Sequence, residues 1–365
     1  MTKGRTKSPP PGKRSGGPGP GVLVLAAGKG TRMKSSKPKV LHEILGRTIL
    51  AYVLNAVRYL EPEKLCVVVG AGADEVEAAA SGAGAVFVRQ REQLGTGHAV
   101  MAAREAFKGF KGPLLIAPGD APLVSPQTLL DLVEAHRALE SDLSVLTADS
   151  PSPGAYGRVI RDSAGWLRAI VEYRDAGPEE RLVTEINSGV YVGSAPEIFG
   201  ALKEIRPQNA QKEYYLTDLV KVFRERGLKV AAVTGPDPEE LSGVNDQEEL
   251  WRAREVLRLR IVRAWLKAGV RVEDPYTAVI EPGVKLEPDV SLGPGVILQG
   301  ATRAGAGSVI GPYAVLTDVV VDPGAFVPPH SFLEKVRVSQ GSLSGRPHRP
   351  QPPRTGGRRS GAKAP

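Results

Sequence analysis

The chain has 365 residues, 41% apolar and 24% charged, which suits two folded domains and excludes a fibrous or wholly disordered protein. No run approaches the roughly 20 apolar residues of a membrane span. The basic N-terminus lacks the apolar stretch of a secretory signal, so the expectation is a cytoplasmic protein with no membrane partner. The net charge of +8 gathers in the two ends. Lys3, Arg5, Lys7, Lys13 and Arg14 precede residue 21, Arg346, Arg349, Arg354, Arg358, Arg359 and Lys363 follow residue 340, and neither end carries an acid. Rich in Pro, Gly and Ser, segments 1–20 and 336–365 read as disordered basic tails, solubilising rather than specific for nucleic acid.

Between them, Val22-Leu23-Val24-Leu25-Ala26 is a short apolar run closed by glycines, the pattern of a buried parallel strand. A helix follows over Ile49–Leu60, then a strand over Leu65–Val69. That strand holds the one cysteine, Cys66, a structural thiol, so no internal disulfide or cysteine-rich metal site is available. Strands at Ala85–Val88, Leu114–Ala117 and Leu143–Thr147 alternate with helices at Gly97–Phe107 and Pro126–Leu139. This alternation predicts an α/β domain over 21–246, its parallel sheet covered on both faces. Ligands of such sheets lie beyond the carboxyl ends of the strands, where Gly28–Gly30 and Gly119-Asp120 fall. An amphipathic linker helix is predicted over 247–269, with Leu250, Ala253, Leu257, Ile261, Ala264 and Ala268 on its apolar side. Over 270–335 a six-residue period appears. Ile280, Leu286, Leu292, Leu298, Ala304, Ile310 and Leu316 form one series, and Val284, Val290, Val296, Thr302, Ser308, Ala314 and Val320 a second. Such a period marks a parallel β-helix of hexapeptides, here of three or four coils, with its register slipping near Asp322.

The strongest chemical signal is Leu25-Ala26-Ala27-Gly28-Lys29-Gly30-Thr31-Arg32-Met33. Glycines after a strand let backbone N–H groups approach a polyphosphate, and Lys29, Arg32 and Lys39 add positive charge, Arg32 as a bidentate fork. The pattern matches neither the dinucleotide fingerprint nor the P-loop.

This stretch, with Lys37-Pro38-Lys39, resembles the signature of sugar-nucleotide pyrophosphorylases, and more closely the bacterial N-acetylglucosamine-1-phosphate uridyltransferases. The resemblance continues through Gln90–Ala99, Gly119–Leu123, Tyr156-Gly157-Arg158, Ile170-Val171-Glu172, Glu185–Gly189, Glu213–Asp218 and Gly243-Val244-Asn245. It implies a Rossmann-like nucleotidyltransferase domain with a mostly parallel sheet, then a helical arm and a short left-handed parallel β-helix. It further implies uridylyl transfer from UTP to N-acetylglucosamine 1-phosphate with Mg²⁺ as cofactor. By position, Leu25, Ala26, Ala27, Gly28 and Lys39 meet the nucleotide, Gln90, Gly95 and Thr96 read uracil, and Gly119 borders Asp120. Asp120 and Asn245 match the Mg²⁺ ligands. Gly157, Glu172, Asn187 and Thr217 match positions that hold the amino sugar. Arg32, Lys39 and Asp120 are the expected catalytic groups, and His98 reads as a hydrogen-bonded structural histidine.

Two departures stand out. The family's tyrosine before Gly-Asp is Pro118, and the lysine two residues after the sugar-binding glutamate is Arg174. The His-x-x-Tyr-x-Gly and Asn-Tyr-Asp-Gly stretches of the acetyltransferase part of bifunctional members do not occur. The expectation is therefore a uridyltransferase without acetyltransferase activity, whose short β-helix serves trimer assembly or stability. The alternatives are a nucleotidyltransferase for another sugar phosphate or base, and a non-catalytic nucleotide-sugar-binding protein.

Overall fold

The structure is a computed structural model that describes residues 19–341, so the tails predicted at 1–20 and 336–365 lie almost wholly outside the described residues. Contacts divide the chain into two units after Val256, inside one helix.

The first unit contains, in chain order, β1 (Gly21–Ala26), β2 (Glu43–Ile44), β3 (Arg47–Thr48), α1 (Ile49–Arg58), β4 (Lys64–Val69), α2 (Ala73–Ala79), β5 (Val86–Arg89) and α3 (Thr96–Ala102). It continues with β6 (Pro113–Pro118), α4 (Pro126–Ala138), β7 (Leu143–Asp149), β8 (Arg158–Arg161), β9 (Leu167–Val171), α5 (Pro178–Arg181), β10 (Glu185–Ser194), α6 (Ala195–Ala201), α7 (Asp218–Glu225) and β11 (Val230–Thr234), before α8 (Gln247–Lys267) crosses the division. Over the described residues nine strands form one sheet, ordered β11-β7-β10-β6-β1-β4-β5, with β8 on β10 and β9 on β8. Strands β5, β4, β1 and β6 pair in parallel, as do β7 and β11, while β10 runs antiparallel to both β6 and β7. The sheet is thus mixed and mostly parallel.

Both faces are covered, which is why β1 reads as an unbroken apolar run rather than an alternating one. Leu23 packs on one side in a cluster with Val100, Ala103 and Phe107. Val22 and Val24 pack on the other with Val53, Leu54 and Val57 of α1 and Leu129, Leu132 and Val133 of α4. Side chains fix where these helices begin. Thr48 Oγ1 accepts from Ala51 N at 3.1 Å. Ser125 Oγ accepts from Thr128 N at 3.1 Å, with Pro126 opening α4, the usual N-cap chemistry. Cys66 is buried in this core, and burial pushes its thiol up to about 12, so it stays protonated and inert.

Over its described residues the second unit is a short parallel β-helix of three four-stranded sheets. One stacks Val279–Ile280, Ile297–Gln299, Val315–Thr317 and Phe332–Glu334, paired residue for residue. The inward series Ile280 through Leu316 is buried throughout. The second series holds through Ala314 and then fails: Val320 is 39% exposed and Val319 is the buried residue. A turn there is one residue shorter, so the inward positions continue at Val321, Val327 and Leu333. A second shortening brings in Val338, which is buried. Strand Arg337–Val338 pairs with Val320–Val321, so the stack runs past the boundary expected at 335. In α8 the apolar stripe is also displaced. Ala264 and Ala268 are exposed, while Arg258 and Val262 are buried. The Arg258 Nη1 donates to the carbonyls of Pro275 and Ala278 at 2.8 and 3.3 Å, which lets a cation occupy an inward position.

Candidate active site

The loop after β1 is shaped by its neighbours. Gly30 sits at φ +62°, and a Cβ there would stand 2.7 Å from Lys39 Cβ, so glycine is needed for the loop to close on Lys39. Beside Gly28 the space is open, leaving its backbone approachable. Buried Met33 anchors the following 3₁₀ turn, which leaves Arg32 exposed. Lys39 is held at the rim because Val40 and Leu41, next in its own short turn, are buried.

Three distant segments meet on the Lys39 ammonium. Its Nζ donates to Asp120 Oδ2 at 2.5 Å and to Asn245 Oδ1 at 3.0 Å. The backbone fixes both partners. Gly119 N donates to Leu25 O at 2.8 Å, tying the end of β6 to β1, and Val244 N donates to Asp120 O at 2.8 Å. Gly243 N donates to the Tyr156 hydroxyl at 3.1 Å, and Asn245 N to Glu249 Oε2 at 2.7 Å. A carboxylate oxygen and an amide oxygen therefore converge on one positive charge. This is a hard-oxygen pair of the kind that holds Mg²⁺ alongside phosphate and water oxygens. Among the described residues no group of three or more His, Cys, Asp and Glu side chains could hold a metal by itself.

Beyond β5, Gln90 is buried, its backbone N donating to Val69 O at 2.8 Å. The loop that follows is zipped to the segment before α7. Tyr214 N donates to Leu94 O and Gly97 N to Tyr214 O, both at 2.8 Å, and Leu216 N to Thr96 Oγ1 at 3.1 Å.

Opposite, the pairing of β10 with β7 shifts register between Asn187 and Tyr191, an irregularity of the kind that re-aims side chains beside sites. Asn187 Oδ1 accepts from Gly189 N at 3.0 Å, and its own N donates to Gly157 O at 2.9 Å. Thr217 Oγ1 donates to Glu172 Oε1 at 3.3 Å. Burial pushes the Glu172 carboxyl above its usual range; the nearby acids Asp175, Asp218 and Glu213 push the same way, and the Thr217 hydrogen bond opposes them.

These groups line a cavity of about 460 Å³, within the range of small-ligand sites. Of the residues expected from sequence, Leu25, Ala26, Ala27, Gly28, Lys39 and Asp120 line one stretch of it, Gln90, Gly95 and Thr96 a second, and Glu172, Asn187 and Thr217 a third. Gly119 and Gly157 stand behind the wall. A Cβ on Gly119 would meet Leu25 O at 2.9 Å, and one on Gly157 would meet Ile170 Cγ2 at 3.0 Å. Arg32 and Asn245 open instead onto a neighbouring cavity of about 640 Å³, with Tyr156 and Arg252. So Arg32 does not share the cavity wall with Lys29 and Lys39. Sequence reasoning missed Gln93, Tyr191 and Glu213, which also line the first cavity, as does Pro118. Tyr191 is buried, and burial pushes its phenol upward, so it remains a neutral hydroxyl. Between Val190 and Val192 it gives no signal distinct from core.

Residues 22–189 match the model of the MobA-like NTP transferase domain. The chain is 45% identical over 323 residues to the bifunctional protein GlmU of Thermus thermophilus, covering 88% of this chain and 70% of that protein. It is 43% identical over 328 residues to the bifunctional protein GlmU of Anaeromyxobacter dehalogenans, covering 89% and 67%. Among solved structures it is similar in fold to UDP-glucose pyrophosphorylase complexed with UDP-glucose, at a TM-score of 0.53 and 20% identity over 68% of this chain and 98% of that one.

Proposed function

The chain belongs to the GlmU-like family of sugar-1-phosphate nucleotidyltransferases, and on that premise we propose that it transfers the uridylyl group of UTP to N-acetylglucosamine 1-phosphate, in the cytoplasm. The observation that carries this reading is the Lys39 ammonium held at once by Asp120 and Asn245, at a cavity whose far wall offers the polar groups of Glu172, Asn187 and Thr217.

A phosphate oxygen of the sugar phosphate attacks the α-phosphorus of UTP in line. A new P–O bond forms, the bond to the bridging oxygen breaks, and pyrophosphate leaves with the electron pair. The nucleophile is already an anion, so no side chain need take a proton, and catalysis reduces to positioning and electrostatics. Lys39 supplies positive charge where the two phosphate chains meet. Arg32 would stabilise the departing pyrophosphate from the adjoining cavity that it lines, which requires that the leaving group extend toward that side. Gln90, Gly95 and Thr96 hold the base, and Glu172, Asn187 and Thr217 hold the sugar. A magnesium ion held by Asp120 and Asn245 would offset the repulsion between the two anionic reactants. The test is pyrophosphate release from UTP and N-acetylglucosamine 1-phosphate with and without Mg²⁺, against CTP, GTP, dTTP and other sugar 1-phosphates. No turnover of the named pair, or faster turnover of another, refutes the assignment.

Glu172 gives a sign-specific prediction. A folded-state pKa raised above the unfolded one stabilises the fold at pH below the unfolded value, and the benefit is lost as pH rises through the raised value. At neutral pH the Glu172 carboxylate therefore weakens the fold. Glu172→Gln should raise the melting temperature there while raising the KM for the sugar phosphate about tenfold, the cost of one hydrogen bond to a charged acceptor. In the native protein the same KM should rise on acidification, starting above the usual glutamate range. A thermal melt and a pH series of KM check both; an unchanged KM in the variant removes Glu172 from the sugar site.

The proposed trimer draws on the second unit. Val279, Ile297, Val315 and Phe332 form an outward apolar ladder on one sheet, and Phe332 is 76% exposed. Solution mass by sedimentation at three times the monomer is expected, and a monomer at micromolar concentration would exclude the role.

A further inference from the structure

The hydrogen bonds around Gln90 decide which of its atoms faces the cavity. Its Nε2 lies 3.2 Å from Gly95 O and 3.0 Å from His98 Nδ1. A carbonyl can only accept, so the Gln90 atom facing Gly95 must be the amide nitrogen; the reversed amide would set two oxygens against each other. The second N–H then points at His98 Nδ1, which accepts through its ring lone pair. Both Gln90 donors are thereby engaged behind the cavity wall. The Oε1 atom has no hydrogen-bond donor among the described residues, and Gln90 is a lining residue. The cavity is therefore offered an acceptor. His98 lies in α3, and its ring is tilted against Tyr214 with centroids 6.2 Å apart, on the segment zipped to the loop before α3. The imidazole is thus held by the same framework that shapes the cavity.

We infer that His98 is a positioning residue that sets nucleobase choice, by holding the Gln90 amide with its oxygen toward the cavity. An acceptor there suits the N3–H of a uracil-type imide and opposes the N3 lone pair of cytosine. The inference rests on the base-binding reading given above for Gln90. Without a lone pair at the Nδ1 position one amide N–H loses its partner, and rotation of the side chain costs less. The cavity can then present a donor at a lower cost than in the native protein, with Gly95 O alone opposing the reversed amide. Discrimination between the two pyrimidines falls, while the phosphate end, and so the chemical step, is untouched.

The experiment compares native protein, His98→Ala and His98→Asn, whose amide oxygen can replace the Nδ1 lone pair. The kcat and KM are measured for UTP and CTP, and thermal melting confirms that each variant is folded. Expected is a drop of about tenfold in the UTP-to-CTP ratio of kcat/KM for His98→Ala, carried by KM, with kcat for UTP within about threefold of native and the ratio restored in His98→Asn. An equal loss for both nucleotides, or an unchanged ratio, overturns the role of His98 while leaving the base-binding reading intact. Native protein that uses CTP as well as UTP overturns that reading and the inference with it. If His98→Ala is unfolded, the asparagine variant decides: a ratio that collapses there too refutes the lone-pair mechanism, and a native ratio upholds it.

Discussion

Asp120→Asn is expected to lower kcat by at least about a hundredfold, the usual consequence of removing one preorganised electrostatic group from a site of this kind, with little change in the fold. The substitution keeps shape and removes charge. The main-chain bond from Val244 N to Asp120 O at 2.8 Å does not involve the side chain, so Asn245 stays in place. What changes is the balance around Lys39, whose ammonium now sits 2.5 Å from a carboxylate oxygen and 3.0 Å from an amide oxygen. With two neutral amides the ammonium loses its counter-charge. The pair of oxygens also loses the formal charge that draws a divalent cation, so half-saturation should need a higher Mg²⁺ concentration. The two side chains are only 11% and 24% exposed, so solvent screens the unpaired lysine poorly, and the variant should also lose stability, by about 1–3 kcal/mol since the amide oxygen can still accept from it. Pyrophosphate release as a function of Mg²⁺, beside a thermal melt, checks the set. A variant with native kcat would mean the Lys39 cluster is structural, and the mechanism proposed above would fall.

The parts of this site differ in how far sequence could reach them. β1, β4 and β6 are legible because burial on both faces leaves nearly unbroken apolar runs, and β7 because its Ser144 and Thr147 are flanked by Leu143, Val145 and Leu146. β10 is not, since Glu185, Asn187, Ser188 and Gly189 interrupt its pattern, and they do so because that strand carries part of the cavity wall and a register shift. The hexads were visible as far as Leu316. The shortened turn beyond it changes the phase by one residue, so a strict six-residue count points to Val320 where the buried residue is Val319. Lys39, Asp120 and Asn245 lie too far apart in sequence for any local pattern to join them. Only the family resemblance links them, and the fold supplies the reason: β6 ends beside β1, and Val244 is bonded to Asp120, two residues past β6. Arg32 shows the limit of reading charge by proximity. Gly30 and Lys34 flank its turn at φ +62° and +49°, and Arg32 between them lines the neighbouring cavity.

Gly95→Ala should damage the handling of both substrates together. Gly95 precedes α3 at φ +108° and ψ 173°, a region essentially reserved for glycine, where another residue stores roughly 1–3 kcal/mol of strain. The added Cβ would also lie 2.6 Å from Tyr214 O and 2.9 Å from Tyr214 N, two atoms that already bond Gly97 N and Leu94 O. Neither obstacle is a flexible side-chain tip, so relief requires the two segments to part. One carries Gln90, Gly95 and Thr96, and the other carries Thr217 at the opposite wall. Parting them by even about 1 Å misaligns both reactants, a displacement that commonly costs about a hundredfold in rate. The expected result is a rise in KM for UTP and for the sugar phosphate alike, with kcat/KM for each down by about two orders of magnitude and a lower melting temperature. Gly109→Ala is the matched control: its φ is +76° and nothing lies within 4 Å of the added atom, so it should lose stability and keep native kinetics. A Gly95 variant in which only UTP handling suffers would show that the two walls move independently, and that the bonds between Leu94–Gly97 and Tyr214–Leu216 do not couple the base and sugar ends.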